Sequence, residues 1–164
     1  MNPADHYGMP NPSSNTDFMR LALAQGRLAL PECLPNPPVG CVLVKDNLVI
    51  SQGYTQPPGL YHAEAMALSQ LPSDCSGVTA FVTLEPCSFH GRTPSCALAL
   101  LNSGVEKVFV GLLDPDPRNS GAGIKMLRDA GITVVVGLLA EEAIKDLGGF
   151  FVNKPGESVD RNDE

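Results

Sequence analysis

The chain has 164 residues, 43% of them hydrophobic, enough for one domain with a buried core and too few for two of ordinary size. Its formal net charge of -7, with no stripe of Lys and Arg, argues against a sequence-independent grip on a polynucleotide backbone, although one or two local cations suffice for a small anionic substrate. No run of about 18 apolar residues occurs, so neither a membrane span nor a membrane partner is expected.

The N-terminal stretch has neither a basic region nor an apolar region, so a secretory leader is not expected. Five cysteines, an odd number, fit a reduced, cytoplasmic chain better than a disulfide scaffold. Residues 1–15, rich in Pro, Asn and Ser, read as a flexible N-terminal segment. Asn15 or Thr16 is placed to cap a helix through DFMRLALAQGRLAL, where Phe18, Leu21 and Leu28 recur at helical spacing and Pro31 is the stop. LPNPPVG is a turn-rich loop. CVLVKDNLVISQG reads as two strands around Asp46-Asn47, a hairpin signal.

After the loop TQPPGLY, a helix is predicted from His62 to Leu71, closed by Pro72. VTAFVTL reads as a buried strand, EPCSFHGRTPS as a loop, and CALALLNSG as a helix with Gly104 just past its end. EKVFVGLL is a strand, DPDPRNSGAG a polar turn, IKMLRDAG a helix and ITVVVGLL a strand. AEEAIKDLGGFFV is the last helix, before a polar tail. This alternation after an opening hairpin predicts an α/β chain with one mixed sheet of about five strands and helices on both faces. The expected units are the segment 1–15, a domain over 16–153 and a tail over 154–164.

Three candidate metal ligands fall at similar places in this scheme. His62 opens one helix, Cys87 follows a strand end, and Cys96 opens the next helix. Such junctions converge at one edge of the sheet, where open α/β proteins place their sites. One imidazole and two thiolates suit Zn²⁺ and leave a fourth position open, the arrangement of catalytic zinc. Zinc in that setting lowers the pKa of a water. Glu64, two residues after His62, is placed to reach the water and the substrate and to move protons, the division of labour used by zinc nucleobase deaminases. Cys41, in VGCVLV, reads as a small core hydrophobe, and Cys33 and Cys75 as spare thiols without ligand spacing. His90 is the nearest candidate for a fourth ligand, which a purely structural zinc site requires.

The run HAEAMAL, VTLEPCSFHGRTPSC and DPDPRNSGAGIKMLRDAGI, with NPPVGCVLV before it and GGFF after it, resembles the deaminase domain of the bifunctional riboflavin-biosynthesis deaminase/reductase. Eight residues separate Cys87 from Cys96, where most cytidine deaminase-like chains have Cys-x-x-Cys, and this spacing looks like the riboflavin branch. The resemblance implies a three-layer α/β/α cytidine deaminase-like fold. It also implies hydrolytic removal of an amine from a diaminopyrimidinone bearing a ribosylamino 5-phosphate. It assigns zinc to His62, Cys87 and Cys96, and the proton shuttle to Glu64. Asn36 matches the loop residue that contacts the pyrimidine, and the backbone of Ala63 is placed to meet the base. His90, Arg92 and Thr93 match the stretch on the ribose phosphate side, where a guanidinium fork suits phosphate.

Several positions depart from the family pattern. Thr55 and Phe89 stand where the family has histidines, Tyr61 where it has a small residue or proline, and Ala122 where it has arginine. Retained chemistry on a modified ring is one implication, because Phe89 and Tyr61 are suited to stacking. Deaminases of this branch also serve pathways to pyrimidotriazine toxins. The other classes to weigh are a nucleic-acid-editing deaminase, opposed by the acidity, and a non-catalytic zinc module, opposed by Glu64. The resemblance implies a homodimer or homotetramer. The chain reads as a stand-alone deaminase or one that works beside a separate reductase.

Overall fold

In the computed structural model, which describes residues 12–72, 74–88 and 95–151, helix α1 spans Asn15–Arg27. Its cap is Ser14, not Asn15 or Thr16. The Ser14 hydroxyl accepts the Asp17 N–H at 3.1 Å, and the Asp17 carboxylate accepts the Ser14 N–H at 3.4 Å. This reciprocal pair satisfies two helix-end donors. The helix ends three residues before the expected Leu30. Pro31 disfavours helical backbone in the residue before it, and the chain from Leu28 to Leu34 turns instead.

Strands β1 (Gly40–Lys45) and β2 (Leu48–Tyr54) form the expected hairpin. Asp46 and Asn47 between them have φ of 51° and 63°, the left-handed pair that a tight two-residue turn requires. The chain continues through α2 (Ala63–Leu68), β3 (Thr79–Leu84), α3 (Cys96–Ser103), β4 (Lys107–Leu112), α4 (Ala122–Asp129), β5 (Thr133–Val136) and α5 (Ala140–Leu147). A single 3₁₀ turn, Gly148–Phe150, follows. The last strand is shorter than expected because Gly137 (φ 102°) and Leu139 (φ 55°) turn the chain into α5. α2 is also shorter than expected, and turns carry the chain on to Leu71.

The sheet order is β2-β1-β3-β4-β5. β1 is antiparallel to both its neighbours, and β3, β4 and β5 are parallel. The mixed five-stranded sheet expected from the sequence is therefore present. Side chains alternate across it. Val42, Phe81 and Phe109 stand in register on one face and pack against Phe18, Met19 and Ala22 of α1. The Phe81 and Phe109 rings stack at 4.8 Å between centroids. Cys41, Val82 and Val110 share the opposite face, in the core with Ala63, Ala67, Ala97 and Leu100 of α2 and α3.

Two features of this packing position the site. Parallel β3 and β4 end at the same edge of the sheet, so the loops after Leu84 and Leu112 meet there. Gly53 lets α2 lie directly on β2. A Cβ at Gly53 would stand 2.5 Å from the Ala63 carbonyl oxygen and 2.7 Å from the Ala67 nitrogen. The Ser51 hydroxyl adds a 2.6 Å hydrogen bond to the Ala67 carbonyl.

Candidate metal and acid–base site

His62 is the residue that precedes the first turn of α2. Its backbone is extended and its imidazole makes no capping hydrogen bond, which leaves the ring for other partners. His62 Nδ1 lies 3.1 Å from Cys96 Sγ and 3.9 Å from Cys87 Sγ. The three donor atoms fall within 4.8 Å of one another. Bonds of about 2.3 Å to sulfur and about 2.0 Å to nitrogen at tetrahedral angles put such donors about 3.5 Å apart. The two N–S separations bracket that value, and three donors leave a fourth position for water or substrate. The donor set fits zinc.

The two sulfurs differ. Cys87 is held below the ordinary thiol range, first by the hydrogen bond from the Cys96 thiol, then by bonds from His62 and from the Cys96 N–H. That backbone N–H, at the start of α3, reaches Cys87 Sγ at 3.2 Å. Cys96 is pushed well above the ordinary range, first because its proton sits in the bond to Cys87 and then by burial. By contrast, the thiol of Cys41 is fully buried in β1 and burial pushes it up, as suits the core residue its strand position predicts. Cys33 and Cys75 are also buried.

Glu64 lies one residue into α2 and is only 4% exposed. Burial, followed by the nearby charge of Cys87, pushes its carboxyl up to about 7. His62 and a hydrogen bond from Cys96 act in the opposite direction. An acid that titrates near neutrality can both accept and return a proton. The cavity outside these residues encloses about 500 Å³ including its open mouth, and its walls include Asn36, Thr55, His62, Glu64, Cys87 and Asp114.

The remaining residues singled out in the sequence fall in four groups. Asn36 and Thr55 are buried on the cavity wall. The Thr55 hydroxyl is already engaged with the loop that carries Asn36. It donates to the Pro37 carbonyl at 3.1 Å and accepts the Val39 N–H at 3.0 Å. Ala63 is buried, with its methyl in the core, and Tyr61 is 52% exposed and outside the cavity wall. Phe89, His90, Arg92 and Thr93 lie outside the described residues. Ala122 opens α4.

Two further residues that were assigned no role from the sequence support the site. The buried Glu85 carboxylate accepts backbone N–H groups from Asp114 (3.1 Å), Gly121 (3.0 Å) and Ile124 (3.2 Å), and so ties the end of β3 to the turn before α4. Asn119, in that turn, accepts the Ser88 N–H at 3.0 Å and donates to the Pro86 carbonyl at 3.2 Å. One hint was available: an acid between an apolar strand and Pro86 is placed to face inward. Asn119 gives no such hint, because only the folded turn brings it to Cys87.

Comparison with known proteins places this geometry. Residues 12–112 match the family described as the cytidine and deoxycytidylate deaminase zinc-binding region. The chain belongs to this deaminase family. Within the family it is 42% identical to the diaminohydroxyphosphoribosylamino-pyrimidine deaminase of Buchnera aphidicola subsp. Acyrthosiphon pisum, over 82% of this chain and 91% of the relative. It is 46% identical to the riboflavin biosynthesis protein RibD of Actinobacillus pleuropneumoniae, over 83% of this chain and 37% of the relative. The crystal structure of the diaminohydroxyphosphoribosylaminopyrimidine deaminase/5-amino-6-(5-phosphoribosylamino)uracil reductase of Thermotoga maritima superposes with a TM-score of 0.78 at 40% identity. That match covers 82% of this chain and 39% of that one. The deaminase chain thus spans little more than a third of the length of its RibD relatives. Among the described residues, no helix is long and apolar enough to cross a membrane.

Proposed function

We propose that this chain is a zinc-dependent hydrolytic deaminase of an aminopyrimidine, namely the diaminopyrimidinone ribosylamino phosphate of riboflavin biosynthesis. One observation carries the reading: a His/Cys/Cys donor set lies beside a buried acid that titrates near neutrality, on a cavity wall. Identity to riboflavin-branch deaminases above 40% supports the substrate class and does not favour the toxin-pathway alternative.

In this reading His62, Cys87 and Cys96 hold zinc, which when bound lowers the pKa of a water so that it attacks near neutral pH. Glu64 passes the first proton of the attacking water to the ring nitrogen and the second to the departing amine. One water is consumed, one ammonia leaves, and the amino-bearing carbon becomes a carbonyl. The burial of Glu64 limits the access of bulk water to these protons. Asn36 and the backbone of Ala63 contact the pyrimidine, Tyr61 and Phe89 are further candidates for substrate contact, and Thr55 holds the loop that carries Asn36. His90, Arg92 and Thr93 take the ribose phosphate.

The catalytic unit is residues 16–153, active in the cytoplasm as a homodimer or homotetramer. A reductase, fused or separate, acts on the product. The test is ammonia release from the phosphorylated precursor, its dephosphorylated form, other aminopyrimidines and cytidine nucleosides. Turnover of the phosphorylated precursor with the others left nearly untouched is the expected result. Preference for a nucleoside, or for an oligonucleotide in a salt-dependent binding assay, overturns the substrate assignment.

A further inference from the structure

The geometry points to Asn119 as a positioning residue that sets the orientation of Cys87, and through it the affinity and ligand geometry of the metal site. This rests on the reading that Cys87 is a zinc ligand.

Asn119 is 1% exposed and every polar atom of its amide is engaged. Its Oδ1 accepts the Ser88 N–H at 3.0 Å. Its Nδ2 donates to the Pro86 carbonyl at 3.2 Å and to the Asp114 carboxylate at 3.3 Å. The partners fix which way the amide points, because a carbonyl and a carboxylate only accept and a backbone N–H only donates.

These two backbone groups are not arbitrary. The Pro86 carbonyl belongs to the peptide plane before Cys87, and the Ser88 N–H to the plane after it. A single side chain therefore holds both planes that flank the Cys87 Cα. Rotation of either plane would swing Cys87 Sγ, and the amide resists rotation of both. The second plane is also held at its other end. The Cys87 carbonyl accepts from the Ser95 hydroxyl at 2.8 Å and from the Ala97 N–H at 2.9 Å. Asn119 thus links the first plane to a frame anchored on α3, where Cys96 is the first residue.

A buried polar residue that only satisfied its own turn would not need partners on both sides of a metal-binding cysteine. Outer partners of metal ligands affect affinity in a characteristic way, and their loss costs about 10–100-fold. The Asn119→Leu change removes all three bonds while keeping the branched heavy-atom skeleton. Asn119→Asp keeps an acceptor for Ser88 but loses the donor to Pro86 and to Asp114, and sets an acceptor against both.

The experiment measures zinc affinity by competition with a chromophoric chelator. It also records the thiolate-to-metal and ligand-field bands of the cobalt(II)-substituted protein. Asn119→Leu is expected to weaken zinc binding about 10–100-fold and shift the cobalt bands. Asn119→Asp is expected to weaken binding by a similar factor and shift the bands in the same sense. Met19→Ala, in the core beneath α1 and away from the site, lowers stability without moving either readout. Affinity within about twofold of the parent together with an unchanged cobalt spectrum in Asn119→Leu overturns the inference. An equal loss in Met19→Ala also overturns it. If Asn119→Leu fails to fold by circular dichroism, Asn119→Asp decides, and an unchanged affinity and spectrum there has the same consequence. A parent that binds no zinc instead sinks the proposed function, and this inference with it.

Discussion

The two helix starts that face each other across the site are seated by different physical means. α2, with His62 before it and Glu64 within it, is seated by shape: Gly53 and Ala67 let backbone lie on backbone, with one hydroxyl from Ser51. The Cys87 loop and the start of α3 are seated by buried polar side chains, with Glu85, Ser95 and Asn119 supplying directional bonds. A seat made by contact excludes water and so raises the pKa of the acid it carries. A seat made by hydrogen bonds fixes angles, which is what a sulfur ligand needs. The difference teaches that the α2 side is vulnerable to added volume and the Cys87 side to lost hydrogen bonds.

The largest expected effect tests the acid on the shape-held side. Glu64→Gln keeps the size and removes the titratable proton, so kcat should fall about 100- to 10,000-fold with zinc content unchanged. A steady-state assay beside metal analysis checks both halves of that statement. On the polar side, Glu85→Ala strands three backbone donors in a buried turn. A loss of about 3–4 kcal/mol is expected in urea unfolding, with Glu85→Gln recovering part of it through one retained acceptor.

A third expectation concerns pH. After zinc is removed with a chelator, Glu64 titrates near 7 in the folded chain and near 4.5 when unfolded. A raised folded pKa favours the fold fully below the unfolded value, and the advantage fades as pH rises through 7. The stability of Glu64→Gln relative to the parent should therefore grow by on the order of 3 kcal/mol between pH 4 and pH 8. A flat difference across that range would show that the carboxyl is not desolvated. The smallest effect belongs to Gly53→Ala. One methyl pressed between β2 and α2 should cost about 1–3 kcal/mol in chemical denaturation. A neutral result would mean that α2 is not seated by contact.

Much of the frame was legible from residue order. The alternating strands and helices, with Asp46-Asn47 at a tight turn, specified the mixed sheet, because side-chain period and turn chemistry are local properties. The grouping of His62, Cys87 and Cys96, with Glu64 beside it, was legible because a metal-binding donor set calls for particular residue types at helix and strand ends. What escaped were features that exist only once the chain has folded. Ser14 rather than Asn15 caps α1 because the reciprocal bond with Asp17 decides it. Asn119 lies 32 positions from Cys87 in a stretch that reads as an ordinary polar turn. Thr55 stands where the family pattern has a substrate-site histidine, yet its hydroxyl is occupied by the backbone of the Asn36 loop.

The attachment of Cys87 to the start of α3 has a consequence for how this scaffold diversifies. The carbonyl of Cys87 and the first turn of α3 are joined directly, by Ser95, Cys96 and Ala97. The intervening sequence is therefore a tethered insert whose two ends are already fixed. Lengthening such an insert changes its closure entropy only slowly, by roughly 0.6 kcal/mol for each doubling. Exchange of the residues between its two ends, in natural drift or by loop grafting, therefore leaves in place the bonds that join Cys87 to the start of α3.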